Sequence, residues 1–237
     1  MKLLSVSADA KTVKGEKQGY LTGILYLAPA NLSGHNVCVS ASPGCTQACL
    51  NTAGRAGIFP SIMEARIRKT NYLFDNRAAF LDDLTHDIKS LVRRAKKQGL
   101  TPCVRLNGTS DLPWLALAMA DKFPNVIHYD YSKIPKPWQR LRPNYHLTFS
   151  NSELNLAECF DALEHHINVA VVFPIKKGRP LPSEWHGYPI IDGDISDLRF
   201  LDTFGVVGLR AKGKAKKDSS GFVQIAESYE KENTVPK

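Results

Sequence analysis

At 237 residues, with 43% hydrophobic and 23% charged residues, the chain has the composition of a globular protein with one large or two small domains. The start of the sequence has no apolar stretch of signal-peptide length, and no run approaches the roughly 18 apolar residues of a membrane helix. We therefore expect a cytoplasmic protein with no membrane partner and with cysteines that do not pair in disulfides. The net charge of +8 favours a phosphorylated or otherwise anionic partner.

The first third of the chain predicts a strand, a cysteine-rich loop and a long helical stretch. Residues 1–19 are polar and predict an irregular lead-in. Residues 20–27 (YLTGILYL) are apolar and predict a buried strand. Residues 60–98 carry a helical pattern that Gly99 is placed to end. The helical stripe consists of Phe80, Leu84, Ile88, Leu91 and Val92.

A regular alternation of strands and helices follows. Short apolar runs predict strands at 103–106, 126–131, 145–149, 169–173, 188–191 and 206–209. Helix-compatible segments lie at 114–122, 135–141 and 154–166. This alternation is typical of βαβ units and a parallel sheet. We predict an α/β fold of six to seven mainly parallel strands, either an open sheet or, as we favour, a partial (β/α) barrel. It forms a single domain over residues 1–217, followed by a loose tail at 218–237.

Polar residues cluster directly after these predicted strands. Because the carboxyl ends of parallel strands lie on one edge of a sheet, we expect these residues to share a cavity there. The same residue types are also ordinary turn and helix-cap residues. The predicted substrate-binding residues are Arg105, Asn107, Asp111, Lys133, Asp192, Asp194, Asp197, Arg199 and Lys212.

Three of the five cysteines occur together in the loop at 36–51, as Cys38-x6-Cys45-x3-Cys49. Three thiolates without a fourth protein ligand suit a [4Fe-4S] cluster whose open iron binds a small molecule such as S-adenosylmethionine. With His35 as a fourth ligand, the same residues suit a structural zinc ion. In a third interpretation the three cysteines bind no metal and are buried free thiols that pack the loop. The remaining two, Cys103 and Cys159, are predicted core residues.

Two basic clusters account for much of the positive charge. The cluster at 93–97 lies at the carboxyl end of a predicted helix, where positive charges interact favourably with the helix dipole. We interpret it as a solvated surface. The cluster at Lys212–Lys217 has no apolar period around it. It is equally consistent with a nucleic-acid contact and with a soluble tail.

Four stretches of this sequence resemble the gene-product-88-like family of tailed-phage proteins. They are residues 41–55, 104–111, 143–150, and 169–173 leading to 191–199. The resemblance implies a phage protein in an infected bacterial host and implies no particular reaction. In architecture the chain is also distantly similar to the radical S-adenosylmethionine enzymes, which place a three-cysteine cluster loop after the first strand of a partial barrel. Those enzymes space the cysteines C-x3-C-x2-C, unlike the spacing in this chain.

Two functional hypotheses follow. In the first, the protein is a phage-encoded iron–sulfur enzyme that acts on a nucleotide or another phosphorylated small molecule. In the second, it is a non-catalytic factor that binds nucleic acid or protein, with zinc fixing the cysteine loop and lysines contacting phosphate.

Overall fold

A computed structural model describes residues 1–7 and 10–225 of the chain. In this part the strands are β1 (Leu4–Val6), β2 (Tyr20–Leu25), β3 (Thr101–Arg105), β4 (Ile127–Ser132), β5 (Tyr145–Ser150), β6 (Val169–Phe173), β7 (Glu184–Trp185), β8 (Tyr188–Asp192) and β9 (Val206–Arg210). The helices are α1 (Ala10–Glu16), α2 (Pro43–Gln47), α3 (Pro60–Asp75), α4 (Arg77–Gln98), α5 (Pro113–Lys122) and α6 (Leu156–Glu164). No helix within these bounds is long and apolar enough to cross a membrane.

The strands form one mixed, mostly parallel sheet. Over the described residues it has nine strands, in the order β1-β2-β3-β4-β5-β6-β9-β8-β7. In this order, every neighbouring pair from β2 through β9 to β8 is parallel. The end strands β1 and β7 pair antiparallel with β2 and β8. In the described part of the chain these end strands do not pair with each other, so the sheet is open. The predicted α/β class and parallel sheet are confirmed, but a barrel is not, and the strand count exceeds the predicted six to seven.

Several predicted element boundaries were wrong. The predicted irregular lead-in contains β1 and α1. The helical stretch at 60–98 is two helices, because Asn76 leaves the helical conformation and its Oδ1 accepts a hydrogen bond from the amide of Ala79, which caps α4. The predicted helix at 135–141 is only a 3₁₀ turn at Pro137–Arg140.

One face of the sheet packs against helices. The predicted stripe of α4 is buried against strands β1 to β3, except for Val92, which is partly buried, and the same core contains Val104 and Leu115. Each fully buried side chain of this size stabilises the fold by about 1.5–3 kcal/mol. The helix ends at Gly99 as predicted, with the glycine in the left-handed conformation at φ 66°.

The opposite face of the sheet is covered by the loop that follows β8. Side chains alternate between the faces of a strand, so Cys103 and Tyr129 point away from the helices that cover Val104. They contact Leu198, and Phe200 packs edge-to-face on Tyr129 with ring centroids 5.4 Å apart. This loop thus closes the second face and brings polar residues of the segment 192–199 over the sheet.

Residues 218–225 also differ from the loose tail that we predicted. Val223 pairs with Val172 of β6, and the amide of Gln224 donates to the Val172 carbonyl oxygen at 2.8 Å. Phe222 is 9% exposed. These residues lie against the carboxyl edge of the sheet, and the rest of the predicted tail, 226–237, lies outside the described residues.

Candidate functional site

The cysteine loop connects β2 to α3 and begins a short helix in its middle. Ser42 caps α2, since its hydroxyl oxygen accepts a hydrogen bond from the amide of Cys45 at 3.1 Å, and Pro43 occupies the first helical turn. A Ser-Pro pair at this point is a recognisable helix start. The cap fixes the backbone on which Cys45 is carried.

Glu153, at the end of the loop after β5, anchors the cysteine loop. Its carboxylate accepts hydrogen bonds from the Ser42 hydroxyl and from the Gly44 amide, each at 2.7 Å. A Cβ atom on Gly44 would lie 2.8 Å from this carboxylate and closer still to the Ser220 hydroxyl, so a larger residue there would have to displace these side chains. Charge-assisted bonds of this kind are stronger than neutral ones. Glu153 was not among the predicted site residues.

Cys38, Cys45 and Cys49 line the same cavity, which has a volume of 380 Å³. It lies at the carboxyl edge of the parallel strands, as the sequence predicted for the polar residues. All five cysteines of the chain are described, and none is in a disulfide. Cys103 and Cys159 are fully buried, as predicted for core residues.

The protein environment keeps two of the cavity thiols protonated. Burial raises the pKa of Cys38 to about 11, a hydrogen bond from the Ala30 amide opposes this in part, and the neighbouring Cys49 and Cys45 add to the rise. Burial also raises the pKa of Cys49, against smaller opposing effects that include the positive charge of Arg66. These thiols are therefore poor nucleophiles at neutral pH, and they would lose their protons on binding a soft metal.

The geometry of the described residues does not provide a site for a single metal ion. Among the described residues, no group of three or more His, Cys, Asp and Glu side chains is arranged to hold one. His35, predicted as a possible fourth ligand, instead stacks on Phe74 with ring centroids 4.1 Å apart, and it does not line the cavity. The thiols converge on a common cavity without the compact arrangement of a zinc site.

A buried ion pair forms part of the cavity wall. Nη1 of Arg105 donates to both oxygens of Asp197, at 3.0 and 3.3 Å, and the guanidinium lies 4.6 Å from the centre of the Tyr131 ring. Burial acts to lower the pKa of Arg105, but the charge of Asp197 and smaller contributions from the tyrosines around it together outweigh this and raise the pKa. The arginine is therefore a permanent, fixed cation beside the cavity.

Asn107 lines the cavity and is held by a buried carboxylate behind it. Its amide N–H and its side-chain Nδ2 donate to the two oxygens of Asp130 at 2.7 and 3.1 Å, and Tyr145 donates to the same carboxylate at 3.3 Å. Burial raises the pKa of Asp130 to about 7, although the two Asn107 donors and the charge of Arg105 oppose the rise. The network fixes the orientation of the Asn107 side chain.

Asp111 and Lys133 meet between the loops after β3 and β4. The Asp111 carboxylate accepts hydrogen bonds from the Ser132 hydroxyl at 3.0 Å and from the Lys133 amide at 2.8 Å. The Lys133 ammonium lies 5.5 Å from the centre of the Phe222 ring and forms no ion pair with any described residue. It is a cavity cation available to an anionic ligand.

The acidic run after β8 is paired with basic residues of β9 and the segment after it. Arg210 binds Asp192 through both terminal nitrogens, at 2.8 and 2.9 Å, and also contacts Asp194 at 3.1 Å. Asp194 forms a second ion pair with Lys212. Since these charges are mutually compensated, the run is not an open cation-binding surface.

Most of the predicted substrate-binding residues come together at the cavity. Those that line it are Arg105, Asn107, Asp111, Lys133, Asp194, Asp197 and Lys212. Asp192 and Arg199 do not: the first pairs with Arg210, and the second is buried against Asp202 at 3.1 Å. Sequence reasoning missed several lining residues, among them Lys14, Tyr131, Asn151, Arg210 and Phe222.

The fold and the site define an open-sheet α/β protein with a thiol-lined, positively charged cavity at the carboxyl edge of its strands. Over residues 2–225 the sequence matches the family described as gene product 88, and the chain belongs to that family. No curated protein and no solved structure matches it. The likeness to the radical S-adenosylmethionine enzymes finds no support in these comparisons. The family description names no activity.

Proposed function

We propose that this phage-encoded protein holds an iron–sulfur cluster on Cys38, Cys45 and Cys49 and acts on a nucleotide or another phosphorylated small molecule in the adjoining cavity. One observation carries the proposal: three thiols from one loop line the same 380 Å³ cavity as Arg105 and Lys133. The volume lies within the range of about 300–1,000 Å³ that small-molecule sites occupy.

We favour a cluster over a zinc ion for these three thiols. Three thiols from the described residues reach the cavity, but they do not form a group that could hold one ion. A cluster is several atoms across, so it joins thiolates that stand farther apart than the ligands of a single ion. When bound, a cluster with one iron free of protein ligands supplies electron transfer or Lewis-acid activation, and S-adenosylmethionine is one small molecule that binds such an iron.

The chain's own residues then bind and orient the substrate. Lys133 offers a cation that forms no ion pair with a described residue, and it is suited to a phosphate group. Asn107 is fixed by Asp130 and presents a rigid polar group. Asn151 is 4% exposed, and its Oδ1 atom has no hydrogen-bond partner in the described structure, so it is available to accept a bond from a ligand.

The alternative is a non-catalytic binding factor with a structural zinc ion. Its zinc component lacks a supporting observation, because His35 is stacked on Phe74 away from the cavity.

The first proposal also includes the curvature of a partial (β/α) barrel. A sheet curved in this way would surround the cavity with the strand ends that line it.

Metal analysis of anaerobically purified protein tests the proposal. We expect brown protein with iron and acid-labile sulfide, and loss of both in Cys45→Ala. The matched control is Cys159→Ala, which removes a buried thiol outside the cavity and should leave the iron content unchanged. Colourless protein with one zinc per chain would favour the alternative, and protein without any metal would overturn both proposals.

A further inference from the structure

The lysine-rich segment at 212–217 is docked on the cysteine loop at the rim of the cavity. It forms a 3₁₀ turn, Gly213–Lys217, and the Lys214 amide donates to the Thr52 hydroxyl at 3.2 Å. That hydroxyl in turn donates to the Cys49 carbonyl oxygen at 2.8 Å. On its inner side, Ala215 is buried with Ala48 and Phe222. The fold therefore holds the backbone of this segment against the cysteine loop.

The charge of this segment is not neutralised by its surroundings. Lys214, Lys216 and Lys217 are exposed, and none forms an ion pair with a described residue. The neighbouring carboxylates are engaged: Asp194 pairs with Lys212, and Asp218 accepts hydrogen bonds from Ser220 and Val223. Three exposed, unneutralised positive charges within one short turn match the phosphates of a polyanion.

Exposed apolar and aromatic groups lie between α2 and α3, in the part of the chain that the lysine-rich segment contacts. Leu50 lines the cavity mouth and is 49% exposed. Phe59 is 48% exposed and lies in the turn after Thr52, where its ring is 5.8 Å from the guanidinium of Arg55. Surfaces that bind single-stranded nucleic acid combine cationic groups for the backbone with exposed aromatic rings for base stacking, and the lysine segment and the loop that it contacts supply one of each.

We propose that single-stranded nucleic acid binds along this rim, with its backbone on Lys214, Lys216 and Lys217 and one nucleotide directed into the cavity. A cavity of 380 Å³ holds a nucleotide but cannot admit a duplex. The nucleotide's place in the cavity rests on the proposed function, whereas binding of the strand by the rim does not require a cluster.

The test measures binding of a fluorescein-labelled oligothymidylate of about 16 nucleotides by anisotropy, at NaCl concentrations between about 50 and 200 mM. The triple substitution Lys214→Gln, Lys216→Gln and Lys217→Gln removes the proposed contacts. The matched control is Arg93→Gln, Lys96→Gln and Lys97→Gln, which removes the same charge from exposed positions at the end of α4. That helix end leads into the start of β3, at the opposite edge of the sheet.

We expect the rim substitution to weaken binding about a hundredfold near 0.1 M salt and to reduce the salt dependence, d log K/d log[NaCl], by about 2. The control should leave the salt dependence close to that of the wild type. Oligouridylate of the same length shows whether RNA or DNA is preferred. Equal losses in both triple variants, tighter binding of a duplex, or binding only to phosphatidylserine vesicles would each overturn the proposal.

The same titration on metal-free protein separates the two proposals. If the purified protein contains no iron but binds the oligonucleotide, only the proposal of an iron–sulfur cluster is contradicted. If it contains iron but does not bind the oligonucleotide, only the proposal of nucleic-acid binding at the rim is contradicted.

Discussion

Arg105 and Asp197 form a buried ion pair, in which the arginine is 5% exposed and the aspartate is 8% exposed. The arginine ends β3, and the aspartate belongs to the loop that covers the face of the sheet opposite the helices. The pair therefore joins the sheet to its cover beneath the cavity. Removing Asp197 alone would therefore leave the Arg105 charge buried without this carboxylate.

We predict that Asp197→Ala destabilises the protein by about 3–5 kcal/mol, the cost of leaving a buried charge without its partner. Urea unfolding followed by circular dichroism measures the change. The double substitution Arg105→Met with Asp197→Leu should recover much of the loss, because no charge is then buried.

Asp161→Ala is the control for this experiment. Its partner is His165, and the two side chains are 44% and 45% exposed, so the ion pair lies largely in solvent. Such pairs contribute about 0–1 kcal/mol. A loss of stability in Asp197→Ala that is no larger than in this control would contradict the prediction.

The Arg105–Asp197 pair also shows where prediction from sequence ends. The apolar runs in the sequence predicted seven of the strands and the parallel sheet. The polar residues that follow those strands predicted most of the candidate site. The pairing itself joins residues 92 positions apart, and no local pattern encodes such a contact. Likewise, β7 has only two residues, too few for a periodic signal. The placement of β9 between β6 and β8 depends on tertiary packing.

Glu153 should control the order of the cysteine loop more than the stability of the whole protein. Glu153→Ala removes both hydrogen bonds to the loop, at Ser42 and Gly44, and each bond to a charged group contributes about 1.5–3 kcal/mol. We expect faster hydrogen exchange of the amides at 44–49, measured by mass spectrometry, with little change in the core of α4.

Glu164→Ala is the matched control, since Glu164 is an exposed glutamate at the end of α6 that accepts no bond from the cysteine loop. It should leave exchange at 44–49 unchanged. Equal exchange in the two variants would show that the carboxylate of Glu153 does not anchor the loop.

Asp130 should make the protein less stable as the pH rises towards 7. Burial raises its pKa from 3.8 to about 7, so between these values the folded protein keeps a proton that the unfolded chain has lost. Its contribution to the free energy of unfolding is present below about pH 4 and is lost by about pH 7, with an upper limit of about 4 kcal/mol.

Urea unfolding of the wild type and of Asp130→Asn across this range isolates the effect. The comparison is needed because burial lowers the pKa of His128 to about 4, which makes stability fall as the pH drops below about 6.5. The difference between the two proteins should decrease from pH 4 to 7 and then stay constant. Parallel curves would show that Asp130 is ionised throughout.

Cys38 should resist alkylation at neutral pH in metal-free protein. Burial, together with the neighbouring thiols Cys49 and Cys45, raises its pKa from 9.0 to about 11, and only the thiolate reacts with iodoacetamide. The rate of modification of Cys38, followed by peptide mass spectrometry, should therefore rise with pH to beyond pH 10. In urea-unfolded protein the same peptide should reach its maximal rate about two pH units earlier. Coinciding pH profiles in the folded and unfolded protein would contradict the prediction, whereas a lower rate with an unshifted profile would show restricted access alone.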